Sequence, residues 1–489
     1  MNLVFMADGY ARASGKPGVI LITPGPGLGN IVSGCMEAYS DDVPLLIIHI
    51  DIDRREEGKG ILHEIAGPEN IFRHFIKGYF APRKPGTFAH ILEKALRTCM
   101  SGRKGPVLLS IPYSLLDTNT LENRSDDPFC ENALHVEATN CAENCNTFMA
   151  DLEDIIEHKR RPLILGGKGL MEPRAAESLE EICMTSNIPL LTTTGGKGIV
   201  SDRYVFSFGN VIKKGVTRQI IESSDLVIAT GTRLRDVDVK RRGVRFGDLV
   251  HIDIDNRWLN KNYRSILALV GDPPAALGGL VGLLRKKRFS WDMEDLKDKQ
   301  RSEEAILKGS SDGYRLIELL RTSIPEETTV VCDLNIPSYW AEYYMPVYHQ
   351  RSFIMPRGVS PIFYSLSDAI GAKTAQPERP CLAVCGDGGV LPQIAELSTI
   401  VRYNIPVVVF VHNNNSFFVL EEAMRKRHGI SGSMELTNPD FVKLCRSFGI
   451  RAYRANTLRG LRRVFSKNVD WTEPVLIEFV DRTSSTPWS

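Results

Sequence analysis

The chain has 489 residues, 43% hydrophobic and 24% charged, with a formal net charge of +1. That is ordinary globular material, enough for about three domains, and the balanced charge gives no ground for nucleic acid or an acidic surface as partner. No run reaches the ~18 apolar residues of a membrane span and no signal-peptide pattern opens the chain. Ten cysteines are scattered, several inside apolar runs, so the expectation is a reduced, cytoplasmic protein.

Alternating strand and helix signals run the length of the chain, with two interruptions. The first unit, 1–118, carries Asp8-Gly-Tyr-Ala-Arg-Ala-Ser-Gly-Lys-Pro-Gly18 leading into a strand at Val19–Ile22. Next come a glycine-rich loop opening a helix, Thr23-Pro-Gly-Pro-Gly-Leu-Gly-Asn30, and a buried strand over 42–50. A polar stretch, 119–146, reads as linker, and the middle unit spans 147–284. The charged run 285–308 reads as a second linker. Within the third unit, 309–489, Pro380–Cys385 is a buried strand, Gly386–Gly389 a tight turn, Gln393–Tyr403 a helix and Ile405–His412 another strand. The fold class expected is α/β, with three doubly wound parallel-sheet domains.

The third unit carries the chemistry. Asn414 lies 27 residues after Asp387, and both fall at carboxyl ends of expected parallel strands, where α/β sheets bind ligands. Their oxygens are hard donors suited to Mg²⁺, an ion usually shared with phosphates. Gly386, Gly388 and Gly389 let backbone N–H groups approach a diphosphate. Read blandly, Asp387 is a helix cap and Asn414 a turn residue.

The Gly-Asp-Gly run with an asparagine pair at this spacing resembles the diphosphate–metal motif of thiamine diphosphate enzymes, the acetolactate synthase and 2-oxo-acid decarboxylase family in particular. Ala7–Val19 with Thr23–Asn30 is similar to their pyrimidine-binding signature. The resemblance implies pyrimidine-binding, central Rossmann-like and diphosphate-binding domains. It implies thiamine diphosphate and Mg²⁺ as cofactors, with Asp387 and Asn414 as side-chain metal ligands and Ser416 as a carbonyl ligand. Gly25 and Gly27 fall in the cofactor loop of the first domain. Ile362 falls where an apolar residue wedges between the cofactor rings, and Asn335 in an atypical diphosphate loop that also contains Pro337. His63 falls in a loop that lines the cleft in relatives, where a partly buried histidine would orient or protonate an intermediate.

The activity implied is decarboxylation of a 2-oxo acid with carboligation to a second carbonyl. The alternatives are simple decarboxylation or a catalytically impaired relative. The segment Phe208–Gly215 lacks the histidine of the Gly-x-His-Gly element of flavin-carrying acetolactate synthases, so FAD ranks below a flavin-free middle domain. The resemblance also puts a cofactor-activating glutamate, with a first strand and helix, immediately before Met1; the expectation is an N-terminally truncated chain. It further implies a homodimer or homotetramer with the active site at the subunit interface.

Overall fold

The computed structural model describes residues 1–65, 67–116, 142–430 and 432–488. Most of the polar stretch 119–146 therefore lies outside the described residues. Helix α1 (Asn2–Ser14) precedes a parallel sheet of β1 (Gly18–Ile22), β2 (Leu45–Asp51), β3 (Gly78–Phe80) and β4 (Val107–Pro112), in the order β1-β2-β4-β3. Helix α2 (Val32–Ser40) connects β1 to β2. The apolar run of β4 is buried along its whole length, as expected of a central parallel strand. Edge strand β1 instead alternates, leaving Val19 and Leu21 55% and 62% exposed.

The middle sheet is also wholly parallel: β5 (Pro162–Gly166), β6 (Leu190–Thr192), β7 (Ser207–Asn210), β8 (Leu226–Thr230), β9 (Leu249–Asp253) and β10 (Leu267–Val270). Its order is β10-β9-β8-β5-β6-β7, a doubly wound sheet with β5 and β8 adjacent at its centre. The charged run 285–308 contains most of a helix, α3 (Met293–Ser310). Asp292 caps α3 by accepting from the Asp295 N–H at 3.0 Å. Only Met293 and Leu296 of α3 are buried, an apolar face too sparse to show as periodicity among so many charges.

The third sheet holds β11 (Thr329–Cys332), β12 (Phe353–Ile354), β13 (Cys381–Gly386), β14 (Val408–Asn413), β15 (Arg451–Ala455) and β16 (Val475–Val480). They are parallel in the order β12-β11-β13-β14-β16-β15. Helix α4 (Ile336–Tyr344) leaves the carboxyl end of β11, and α5 (Ser365–Ala375) leads into β13. Seven of the eight described cysteines are buried and none is disulfide-bonded: Cys35 and Cys99 in the first unit, Cys183 in the middle, and Cys332, Cys381, Cys385 and Cys445 in the third.

The first and third sheets share one core. Val4 and Phe5 of α1 pack in the same apolar cluster as Leu366 and Ile370 of α5 and Cys385 of β13. The two helices cross with backbones in contact. A Cβ on Gly9 would strike the Asp368 carbonyl and carboxylate; one on Gly371 would strike the Met6 carbonyl. Beside the crossing, buried Arg12 pairs with Asp8, with Asp41 at 2.8 Å and with Glu37 at 3.5 Å. The Tyr364 hydroxyl donates to Asp8 at 2.7 Å. Asp368 has no hydrogen-bond partner for either oxygen, and burial, with Asp8 next to it, pushes its carboxyl well above the usual range.

Gly371→Leu is therefore expected to cost more than about 3 kcal/mol, because main chain rather than a movable side chain occupies the space. Urea unfolding of the variant beside Ala372→Leu, one position along the same helix, separates the crossing from a general loss of helix packing.

Candidate cofactor site

Strands β13 and β14 pair side by side, Gly386 opposite His412, so their carboxyl ends open on one place. The chain leaves β13 without the tight turn that the glycines suggest. A helical turn begins at once, Asp387–Val390, and continues through a 3₁₀ stretch into a helix at Leu397–Tyr403. Gly386 has a φ of −84°, open to any residue. What Gly388 and Gly389 supply is room: a Cβ on Gly388 would strike the Phe417 ring, and one on Gly389 the Asp333 carboxylate.

Asp387 is 3% exposed. One oxygen accepts the Gly388 N–H at 3.0 Å and the other the Asn438 amide at 2.8 Å. The same Asn438 nitrogen lies 3.0 Å from Asn413 Oδ1 and 2.9 Å from Asn415 Oδ1. Asn438 thus draws the loop after β14 toward Asp387, while its own Oδ1 is buried without a partner. Asn414 Oδ1 accepts the Ser416 N–H at 3.2 Å. Asp387, Asn414 and Ser416 line one cavity of about 610 Å³ with Gly386, Gly388, Gly389, Ile362 and Asn335.

Ile362 arrives there by a contact from the first unit. The buried Glu37 carboxylate of α2 accepts the N–H groups of Gly358, Val359 and Ser360 at 3.0, 2.7 and 2.8 Å. These three bonds fix the segment that carries Ile362. Asn335 is less free than its sequence suggests. Its amide oxygen caps α4 through the Ser338 N–H, and its nitrogen donates to the Val384 carbonyl, both at 3.0 Å. Pro337 stands in the first turn of α4, where a missing N–H leaves nothing unsatisfied.

Gly25, Gly27 and His63 are not part of this lining. Gly25 has a φ of +66°, and a Cβ on it would crowd His63. His63 is exposed on its loop with a φ of +69°. Three residues that the sequence did not single out do line the cavity or bind its walls: Asn438, His412 and Asp333. His412 is buried, its Nε2 3.3 Å from Asp481. Asp333, at the end of β11, has one oxygen without a partner, and burial pushes its carboxyl up to about 8. A carboxylate closing an apolar strand was the available signal for Asp333; Asn438 had none.

The middle sheet presents a second cavity at its own carboxyl edge. It is lined by Lys168, Gly169, Gly231, Thr232, Arg233 and Asp253 of the middle unit and by Arg12, Asp41 and Asp42 of the first. Ion pairs occupy its floor, Arg233 to Asp42 at 3.1 Å and Arg235 to Asp41 at 3.2 Å. Burial raises Asp253 to about 6.

Three family models match the chain: the N-terminal TPP-binding domain of thiamine pyrophosphate enzymes over residues 2–70, their central domain over 149–280, and their C-terminal TPP-binding domain over 336–479. The chain belongs to the thiamine pyrophosphate enzymes. Among similar members of this family, a probable acetolactate synthase large subunit of Methanococcus aeolicus is 27% identical, over 98% of this chain and 84% of its own length. That of Methanocaldococcus jannaschii is 28% identical over 97% and 83%. A probable 2-ketoarginine decarboxylase of Pseudomonas aeruginosa is 29% identical over 97% and 84%. In this thiamine pyrophosphate enzyme the C-terminal match contains Asp387, Asn414, Ser416 and Asn438, and the N-terminal match contains Gly25, Gly27 and His63. No helix among the described residues is long and apolar enough to cross a membrane.

Asp333 makes the cofactor-free protein pH-sensitive. Folded, it keeps its proton up to about pH 8; unfolded, it loses it near the ordinary aspartate value of about 3.9. Between those values the folded state holds the extra proton, so each pH unit upward weakens it by up to ~1.4 kcal/mol. The stability advantage of Asp333→Asn over the parent should grow from pH 4 to pH 8 and then level off, as read from urea midpoints across that range.

Proposed function

We propose that this chain uses thiamine diphosphate and Mg²⁺ to decarboxylate a 2-oxo acid and to join the remaining acyl unit to a second carbonyl. The Asp387–Asn414–Ser416 cluster beside Gly388 and Gly389 carries the reading. Its oxygen donors suit a hard divalent cation, and the space over Gly388 and Gly389 suits a diphosphate lying close to main chain. The acetolactate synthase names of two relatives favour carboligation. The 2-ketoarginine decarboxylase favours a second reading, in which the acyl unit leaves as an aldehyde.

Bound thiamine diphosphate supplies a nucleophilic carbon and accepts the electrons released as CO₂ departs. Asp387 and Asn414 would hold the metal by side chains and Ser416 by its carbonyl. Gly386, Gly388, Gly389 and Asn335 border the space for the diphosphate. Ile362, steadied through Glu37, would be the apolar residue that positions the cofactor's rings. Phe417, Phe418 and Val419 put an apolar wall on the cavity, and an apolar surrounding favours loss of a charged carboxylate. The reading ranks FAD low in the middle domain because Phe208–Gly215 lacks the histidine of the flavin-carrying element.

Gly25, Gly27 and His63 stand apart from the Asp387 cavity in one chain, which supports a site completed by a second copy. His63, exposed here, would be covered in such a homodimer and take its place near the substrate. A homotetramer would be a pair of such dimers.

Calorimetric titration with thiamine diphosphate should give tight binding only with Mg²⁺, and Asp387→Ala should weaken it roughly 100-fold. Binding without metal dependence would overturn the assignment. CO₂ release from a panel of 2-oxo acids, with product analysis for a 2-hydroxy-3-oxo acid or an aldehyde, separates the two fates. Mixing inactive Asp387→Ala and Gly25→Val proteins should restore ~a quarter of parental activity if the site spans two copies, and nothing if one chain suffices.

A further inference from the structure

A recess of about 1000 Å³ lies where the middle and third units meet, and it shares no lining residue with the cofactor cavity or the middle-sheet cavity. Three lysines reach it. Lys197 and Lys213 are 3% and 6% exposed, and Lys297 is half-buried on α3. The Lys197 ammonium donates to the Met345 carbonyl at 2.8 Å, and that of Lys213 to the Phe208 carbonyl at 3.4 Å. Lys297 donates to the Ser207 carbonyl and, at 3.0 Å, to Gln300. An ammonium has three donors, so each keeps at least one unused.

Carboxylates border the recess, and each takes its hydrogen bond or ion pair from a group other than the three lysines. Asp202 accepts from the Ser207 hydroxyl and the Val347 N–H, both at 2.8 Å. Glu304 accepts from Gln300, Glu303 from the Val216 N–H, and Glu318 pairs with Lys308. Among the described residues, no carboxylate forms an ion pair with any of the three lysines, although Arg301 finds Asp298. Burial outweighs the pull of Asp202, Glu304 and Glu342 from beyond ion-pair distance, pushing Lys197 and Lys297 down to about 8 and lowering Lys213 as well. Uncompensated buried charge is costly, and a compact dianion would relieve it.

We propose that this recess binds a small phosphate-class anion: free phosphate, diphosphate or a small phosphate ester. Its aromatic rings are already engaged. Tyr348 lies under the guanidinium groups of Arg203 and Arg321, and Tyr344 packs against Tyr314, Trp340 and the Lys213 ammonium. Such faces offer no platform for a nucleotide base, so the ligand is compact. Helix α4 joins the two sites: Asn335 and Tyr339 line the cofactor cavity, and Tyr344 and Met345 line the recess.

The test is calorimetry with inorganic phosphate and with diphosphate on protein saturated with thiamine diphosphate and Mg²⁺, against chloride at equal ionic strength. The parent should bind at least one probe, and Lys213→Met should weaken that binding at least tenfold. Without anion, Lys213→Met should melt above the parent; with saturating anion the order should reverse. Saturating thiamine diphosphate occupies the cofactor cavity, so anion binding read under these conditions belongs to the recess. Equal binding by the parent and Lys213→Met, or a shift reproduced by chloride, would each overturn the proposal.

Discussion

Two residues without side chains decide how closely the first and third sheets approach. Gly9 and Gly371 let α1 and α5 cross with main chain against main chain, and the shared apolar core is continuous only at that separation. The same closeness lets Tyr364 reach Asp8 and lets Glu37 reach three successive N–H groups ahead of Ile362. A cavity walled by the third sheet thus owes the position of one wall to a helix of the first. Helix interiors lose about 1 kcal/mol for glycine relative to alanine, and the crossing is what that loss makes room for.

Charge buried around the crossing is a poor source of net stability, because desolvation consumes most of the attraction. Its effect here is better described as register. Arg12 contacts Asp8 on its own helix and Glu37 and Asp41 across from it. Asp41 in turn meets Arg235 of the middle unit, and Arg351 of the third donates to the Arg12 and Met171 carbonyls. Three units sliding by even one residue would strand several of these groups without partners. Asp368 is the exception that fits: with neither oxygen hydrogen-bonded, it is held neutral by burial.

The fold was legible because parallel strands buried on both faces read as unbroken apolar runs, and β13 and β14 are such runs. The cavity residues with a short-range signature, Asp387, Gly388, Gly389 and Asn414, were legible too. What escaped depends on partners distant in sequence. Asn438 is an unremarkable asparagine until folding sets it against Asp387, 51 residues away. The commitment of the Asn335 amide to Val384 is invisible for the same reason, as is the exposure of His63. The helix within the 285–308 run was equally invisible, since a helix that buries two side chains looks like solvated linker.

The cysteines have a use unrelated to chemistry at the cavity. Burial raises the Cys99, Cys332, Cys381 and Cys445 thiols to about 12, and those of Cys35, Cys183 and Cys385 higher still. Folded, they are almost entirely un-ionised and inert to alkylation. Each of the three units therefore carries its own dormant thiol label, and the sequence in which those thiols become reactive records the order in which the units come apart.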